Sequence, residues 1–272
     1  MNNITPKIHF AITIVVFIVI STFTTKLSAQ EPVVQWDQTI GTTSNDNLVQ
    51  VNLTSDGGFI LGGYTSGGIS GDKTEANMGG TDMWVVKLDA LGNIQWQNSI
   101  GTSSSDNLVD IVQTVDGGFL LGCTSSTGIS GDKTEAAIGL SDFWIIKLNA
   151  SGVIMWQNTI GGTGNDNLTD IEPVPSGGFL LSGYSSSGIS GDKTEANIGL
   201  YDYWIVKINP FGTIQWQHTI GGDNNDKLLQ TVKSNSGNYV LAGQSVSGIS
   251  GNKTEAQIGT EDYWLVEIDI DG

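Results

Sequence analysis

Residues 82–88 read DMWVVKL, and the same stretch returns every 60 residues as DFWIIKL at 142–148, DYWIVKI at 202–208 and DYWLVEI at 262–268. Its residues alternate between the two faces of a β-strand, and both faces are apolar. Trp144 lies on one face, and Phe143 and Ile145 lie on the other. A strand that is apolar on both faces needs cover on both. A strict period of this length is typical of solenoids, propellers and arrays, in which each unit packs against its neighbours.

The tryptophans mark the copies of the repeat. We predict copies over 36–95, 96–155, 156–215 and 216–272. Alternation and turn residues indicate four strands in each copy. In the second copy these strands are predicted over 108–114, 118–125, 142–149 and 153–160. The predicted fold class is all-β, a β-propeller of four blades with four strands each, because each blade of a propeller is covered on both faces.

The fourth copy ends after its third strand. Residues 34–40, VQWDQTI, match residues 94–100, IQWQNSI, which form the predicted fourth strand of the first unit. We therefore expect residues 33–40 to complete the last blade and close the ring, which would remove two exposed strand edges at once. The alternative is that the chain is a piece of a larger ring.

The N-terminus has the pattern of an export signal. Lys7 precedes an apolar run over 8–23, and the small residues of 27–29 suit a cleavage site, so we predict a signal peptide over 1–29 and one domain over 30–272. An uncleaved membrane anchor is the alternative. The expected location is secreted, periplasmic or cell-surface, with no membrane span after cleavage.

Composition excludes some classes of function. The formal net charge is −17 and the chain contains no arginine, whereas nucleic-acid binding needs Lys and Arg to neutralise phosphates. We therefore expect no nucleic-acid partner. Cys123 is the only cysteine, so no disulfide forms within the chain, and its position in a strand predicts a buried thiol.

The connections between strands are unequal in length. Short turns such as 115–118 and 149–152 alternate with long loops such as 126–141 and 161–167, so the long loops should share one end of every blade. The loop sequence ISGDKTEA occurs at 69–76, 129–136 and 189–196, and ISGNKTEA at 249–256. These loops differ less among the copies than the strands do, which favours a binding role for this end. The predicted ligand-binding residues are Asp46, Asp106, Asp166 and Asp226.

The acidic loops also suggest calcium, the only cofactor that the sequence indicates. Carboxylates and carbonyls are the oxygen ligands that calcium prefers. The predicted metal ligands are Asp72, Glu75, Asp82, Asp132, Glu135, Asp142, Asp192, Glu195, Asp202, Glu255 and Asp262. The alternative is structural: Asp72 caps a turn and Lys73 pairs with a nearby carboxylate.

No catalytic residue is predicted. After removal of residues 1–29, His218 is the only histidine, so neither a zinc site of His and Cys nor a Ser-His-Asp triad can be assembled. We expect His218 to be a solvated strand residue. A single active site should break the repeat, and the departures considered, Pro173, Pro175, Lys227, Lys233 and Glu267, contain no pair of carboxylates.

Three motifs describe the repeat: T-x-D-G-G-F, D-x-W-x-x-K-L and G-x-I-x-W, found at 54–59, 82–88 and 92–96. The third and fourth copies depart from them; for example, Pro175-Ser176 replaces Val115-Asp116 and Asn238-Tyr239 replaces Gly-Phe. In these motifs the chain resembles secreted bacterial propeller-like repeat proteins of the Bacteroidetes type, over residues 33–272. The resemblance implies a propeller-like fold and export. Some of the proteins it resembles are described as endoglucanases or lectins, which is fold-level similarity.

These observations favour an exported, non-catalytic scaffold that binds a glycan or a surface protein through its acidic, loop-rich face. One alternative is a carbohydrate-active hydrolase, similar to an endoglucanase, that uses carboxylates on that face. Another is a purely structural unit of the cell envelope.

Overall fold

The computed structural model describes residues 33–175 and 177–269. Trp36–Gly272 form one compact unit, and Met1–Gln35 form another, of which only residues 33–35 are described and contain no strand. The predicted signal peptide lies outside the described residues.

In the described part of the chain, fifteen strands form four antiparallel sheets and there is no helix. Within that part of the chain, then, there is no helix long and apolar enough to cross a membrane. The first sheet consists of β1 (Asp46–Leu53), β2 (Phe59–Thr65), β3 (Asp82–Leu88) and β4 (Ile94–Ile100). The second consists of β5 (Leu108–Gln113), β6 (Phe119–Ser125), β7 (Asp142–Leu148) and β8 (Ile154–Ile160).

The third sheet consists of β9 (Asp166–Pro173), β10 (Phe179–Ser185), β11 (Asp202–Ile208) and β12 (Ile214–Ile220). The fourth has three strands, β13 (Asp226–Lys233), β14 (Tyr239–Ser245) and β15 (Asp262–Ile268). The all-β class is confirmed, and each of the four strands predicted in the second copy is found within one residue at either end. Each of the three four-stranded sheets spans two copies as counted from their opening tryptophans, because that tryptophan lies in a fourth strand.

Local turn chemistry explains these boundaries. Between β5 and β6, Gly117 donates its backbone N–H to Thr114 O and Thr114 N–H donates to Gly118 O, both at 2.9 Å. Gly117 has a φ of 80°, a left-handed conformation that glycine adopts without steric cost. The turn therefore reverses the chain in the few residues that separate the two strands.

The core lies between the sheets. One cluster joins Ile60, Met83 and Val85 of the first sheet to residues of the second, including Phe119 and Trp144. Equivalent clusters join the second sheet to the third and the third to the fourth. The prediction that the strands are covered on both faces is confirmed for the two middle sheets. This stacking is consistent with propeller-like blades.

The first strands of neighbouring sheets contact one another. β1 contacts β5, β5 contacts β9, and β9 contacts β13. All four first strands, β1, β5, β9 and β13, carry a bulge, for example where the pairing with β6 shifts between Leu108 and Asp110. A bulge adds twist and redirects side chains, and here it brings side chains of neighbouring first strands together.

The predicted closure by the N-terminal segment is not found among the described residues. Residues 33–45 lie in no strand, and β15 is the edge of a three-stranded sheet. Instead, Trp36 packs on Phe59 of the first sheet, with ring centroids 5.9 Å apart, and Ile40 packs against a cluster of that sheet that includes Trp84. Apolar packing on the first sheet, rather than backbone pairing with β15, therefore determines the position of residues 36–40.

Candidate functional site

The long connections lie together at one end of the sheets, as predicted. We call this end the loop face; it comprises residues 66–81 and 101–107 and their counterparts in the other copies. Within one unit, Asp72 N–H donates to Gly41 O at 2.9 Å. Between neighbouring sheets, Gly80 N–H donates to Ser104 O at 2.8 Å. The loops thus support one another across the sheet boundaries.

The first acidic position of the loop caps a turn. Asp132 Oδ2 accepts a hydrogen bond from Gly101 N–H at 3.1 Å, and Asp72 and Asp192 accept equivalent bonds from Gly41 and Gly161. In the fourth copy, Asn252 Oδ1 accepts from Gly221 N–H, also at 3.1 Å. Because an amide oxygen makes the same bond, this position needs an acceptor and does not need a negative charge.

The other predicted metal ligands also bind backbone amides. Glu75, Glu135 and Glu195 each accept a bond of 2.6 Å from a residue of the fourth strand of their sheet. Asp202 Oδ2 accepts from Ile198 N–H at 2.6 Å, and Asp82, Asp142 and Asp262 occupy the same position in their loops. Glu255 is exposed.

These carboxylates are not brought together as a metal centre. Asp72, Glu75 and Asp82 of one loop bind three different backbone amides. Among the residues that the structure describes, no three His, Cys, Asp or Glu side chains form a group that could hold a metal ion. Burial raises the pKa of the Asp82, Asp142 and Asp202 carboxyls, against the effect of the backbone amides that they bind.

The four predicted ligand-binding aspartates lie beneath the loop face. Asp106, Asp166 and Asp226 are fully buried, and Asp46 is partly exposed. Asp106 Oδ2 accepts from Thr102 N–H at 2.7 Å, and Asp166 also accepts from the Ser185 and Ser187 hydroxyls. In this arrangement the carboxylates hold the segment before each first strand, and a ligand on the surface would not contact the buried three.

The lysine of the loop is buried, which differs from the predicted ion pair. Lys73 Nζ donates to Glu75 O at 2.7 Å and to Asn77 Oδ1 at 2.8 Å. No salt bridge of the described residues includes this lysine or its counterparts. Lys193 lies over the ring of Trp204, 5.2 Å from its centroid, and burial lowers its pKa to about 8. Carbonyl oxygens and the indole ring replace the carboxylate partner that the sequence suggested.

A glutamine of the fourth strand hydrogen-bonds both the loop between the second and third strands and a tryptophan of the third strand. Gln97 Nε2 donates to Asp72 O at 2.5 Å, while its Oε1 accepts from Trp84 Nε1 at 3.0 Å. The same bonds form around Gln157 and Gln217. Much of the loop's similarity among copies is therefore explained by its contacts with the sheet.

Other side chains of the loop make no comparable contribution to the fold. Ile69, Ile129, Ile189 and Ile249 are each 69% exposed. Thr74 and Ala76 are also exposed, as are their counterparts in every copy. Exposed apolar side chains contribute little to folding. The isoleucines were not among the predicted binding residues, although an apolar residue that stands between Gly and Ser in all four loops was a usable signal.

A second group of residues that the sequence analysis missed lies among the first strands. A groove of about 530 Å³ is lined by all four of them and contains Asp110, Asp170 and Glu172. Asp110 Oδ2 accepts from Ile171 N–H at 3.0 Å, and Asp170 Oδ2 accepts from Thr231 N–H at 2.9 Å. Each aspartate thus links its sheet to the next one.

Burial raises the pKa of Asp170 to about 7, and the Thr231 amide opposes this while the nearby Asp110 and Glu172 add to it. The sequence signal was a departure from the repeat, since the counterparts of Asp110 and Asp170 in the first and fourth copies are Gln50 and Gln230.

His218, in β12, lies with Nδ1 3.1 Å from Glu195 Oε1, and its side chain is 37% exposed.

No protein-family model matches the chain, and no curated protein matches it.

Proposed function

We propose that the protein is an exported, non-catalytic scaffold of the propeller type, and that it binds a glycan or a surface protein through the loop face. The observation that carries the proposal is the exposed isoleucine of each loop, which has the same 69% exposure in all four copies. Folding explains why loop residues with hydrogen-bond partners inside the protein are the same in every copy. Folding does not explain why the exposed Ile, Thr and Ala are the same in every copy, whereas contact with a shared ligand does.

The loops are suited to binding because their backbone is already ordered. The buried lysine, the Asp72 cap and the Gln97 contacts hold each loop in one conformation. A surface that is ordered before binding loses less conformational entropy when a ligand binds. Four equivalent loops also allow several weak contacts with one extended or clustered ligand, which raises the overall affinity.

The chemistry of the loop face restricts the ligand. Exposed Ile, Thr and Ala offer small apolar contacts, and the exposed Glu75 and Glu135 keep the face acidic. The net charge of −17 repels polyanions. A neutral glycan, or a protein surface with apolar and basic side chains, fits these properties. The predicted signal peptide supports a site of action that is secreted, periplasmic or on the cell surface.

A binding screen tests the proposal. The exported chain would be applied to a glycan array and to outer surface proteins, and then compared with a variant in which Ile69, Ile129, Ile189 and Ile249 are changed to Ser. We expect the variant to lose at least tenfold in apparent affinity. A matched control changes Leu91, Val153 and Phe211 to Ser, because these exposed residues lie in the short turns at the opposite end. Equal binding by both variants would contradict the proposal.

A second candidate is a carbohydrate-active hydrolase. It is supported by the carboxyls of Asp170 and Glu172 in the groove, since a carboxyl with a pKa of about 7 suits a general acid. Release of reducing sugar that is lost in Asp170→Asn and in Glu172→Gln would favour this function over the scaffold. Absence of both turnover and ligand binding would favour a structural unit of the envelope.

A further inference from the structure

The stack of sheets has two different ends, which follow from how the sheets pack. We define the front face of a sheet as the face with the tryptophan of its third strand, and the back face as the opposite one. At each internal junction, the back face of one sheet packs on the front face of the next. The front face of the first sheet and the back face of the fourth have no neighbouring sheet among the described residues.

Both end faces carry residues that are buried in the other sheets. On the back face of the fourth sheet, Tyr263 is 87% exposed and Leu265 is 62% exposed, whereas Tyr203 and Ile205 at the same positions of the third sheet are fully buried. On the front face of the first sheet, Val51 is 54% exposed. Its counterparts in the other sheets, Ile111, Ile171 and Thr231, are buried.

The front face of the first sheet contains a groove of about 380 Å³, lined by side chains such as Trp36, Val51, Phe59 and Trp84. At the internal junctions, the equivalent position is filled by the third strand of the preceding sheet. Met83 and Val85, for example, are in the cluster with Phe119 and Trp144. The counterparts of Met83 and Val85 in the fourth sheet are Tyr263 and Leu265.

The backbone at the two ends is complementary as well. At the three internal junctions, an aspartate at the start of a first strand donates its N–H to the carbonyl that precedes the third strand of the preceding sheet. These bonds are Asp106 to Thr81 at 2.6 Å, Asp166 to Ser141 at 2.7 Å and Asp226 to Tyr201 at 2.6 Å. The corresponding groups at the ends are Asp46 N–H and Glu261 O, and they do not bond to each other in the described chain.

We propose that the two ends bind each other between two copies of this chain, head to tail. The back face of the fourth sheet of one copy covers the front face of the first sheet of the other, and residues 36–40 lie beside the partner's edge strand. The new junction continues an interface that the chain already repeats three times.

A second copy fits better than closure within one chain. In the described residues, the main contacts between first strands run in order from β1 to β5, β9 and β13, and no contact of comparable extent joins β13 to β1. Two copies supply eight sheets, which lies within the usual range of four to eight blades for a propeller. Two identical head-to-tail junctions close such a ring with twofold symmetry and leave no open end.

Sedimentation velocity of the exported chain tests the inference. We expect a particle of twice the mass of one chain, which dissociates on dilution. Leu265→Asp and Val51→Lys should each give a monomer, because each places a charge in both junctions. Both side chains are more than half exposed in the single chain, so both variants should fold, and circular dichroism verifies this. Ile129→Asp, at a residue of similar exposure on the loop face, should remain a dimer.

Mixing Leu265→Asp with Val51→Lys distinguishes a head-to-tail junction from a symmetric contact. A mixed pair has one unaltered junction and one in which the introduced carboxylate faces the introduced ammonium group, so the dimer should return. A wild-type chain that is monomeric at all concentrations would overturn the inference. So would a single chain whose fourth sheet packs on its own first sheet. It would also be overturned by a dimer that either variant leaves intact, or by a mixture that stays monomeric.

Discussion

At the scale of single residues, the repeat provides its own comparisons. Asp132 Oδ2 accepts a hydrogen bond from Gly101 N–H at 3.1 Å, and Asn252 Oδ1 accepts the equivalent bond from Gly221 N–H at the same distance. We expect Asp132→Asn to leave the free energy of unfolding nearly unchanged, and Asp132→Ala to lower it by about 1 kcal/mol through loss of the acceptor. Urea denaturation measures both. If the asparagine variant is destabilised as much as the alanine variant, the charge of Asp132 has a role that its hydrogen bond does not explain.

The same residues give a prediction for calcium. Binding to the folded protein would raise the melting temperature by mass action. Because Asp72, Glu75 and Asp82 bind separate backbone amides, we expect the melting temperature to be the same in millimolar calcium and in chelator. A rise that is reduced in Asp132→Ala would instead support the calcium sites that the sequence suggested.

Asp170 predicts a dependence of stability on pH. Its folded pKa of about 7 lies above the ordinary value of an unfolded aspartate, about 3.9. The folded state therefore holds this proton more tightly, and the resulting stability is complete below about pH 4 and is lost as the pH rises to about 7. Asp110 and Glu172 face Asp170 in the groove, and Lys233 lies near Glu172.

Asp170→Asn should remove this dependence, because the amide oxygen can still accept from Thr231 N–H. We expect the variant to be more stable than wild type at pH 8 by roughly 2 kcal/mol, allowing for screening by solvent, and equal to it near pH 4. Thermal unfolding from pH 4 to pH 8 measures the difference. A difference that is constant across this range would show that Asp170 does not titrate within it.

At the scale of elements, two equivalent tryptophans have different surroundings. Trp96 lies in β4, packs on Phe119 at 5.7 Å and donates from Nε1 to Ala150 O at 3.0 Å. Trp36 packs on Phe59 in the same way, but it lies outside any strand and is 46% exposed. A side chain in a paired strand is held by the sheet as well as by its own contacts.

We therefore expect Trp96→Ala to lower the free energy of unfolding by about 3 kcal/mol and Trp36→Ala by about half as much. Guanidinium denaturation of the monomeric Leu265→Asp background compares the two without a contribution from association, because Leu265 lies on the fourth sheet, away from both tryptophans. Equal losses would indicate that residues 36–40 are held as firmly as a strand.

At the scale of the whole molecule, stability should fall from the middle of the stack to its ends. The second and third sheets are covered on both faces, whereas the first and fourth are covered on one. Units that contact only their neighbours open most easily at the ends. In monomeric protein, we expect amide hydrogens of β6, β7, β10 and β11 to exchange more slowly than those of β2 and β14. Uniform exchange across the four sheets would contradict this gradient.

The strands and turns could be predicted from the sequence because their determinants are local. Alternation of side chains sets the strands, and residues such as Gly117 set the turns, so the strands of the second copy were located within one residue at either end. The repeat carried the same strand pattern to the other copies, except that the fourth sheet has three strands among the described residues. The shared end of the long loops followed from the same reasoning, because antiparallel strands alternate in direction.

The hydrogen-bond partners of the acidic residues could not be predicted, because they depend on contacts between distant segments. Sequence patterns do not distinguish a carboxylate that accepts a hydrogen bond from the Gly101 amide from one that binds a metal ion. The groove with Asp110 and Asp170 is assembled from strands of different copies, and neither residue is unusual within its own strand.

The sequence by itself determined an all-β chain of repeated four-stranded units with one loop-rich end, because period, alternation and turn chemistry are properties of neighbouring residues. The tertiary structure alone decided where residues 36–40 lie and which sheet faces are uncovered. Pairing of that segment with β15 would join residues more than 200 positions apart, and the packing angle between successive sheets determines whether they meet. That angle depends on the side chains at every junction at once, so no single stretch of sequence specifies it.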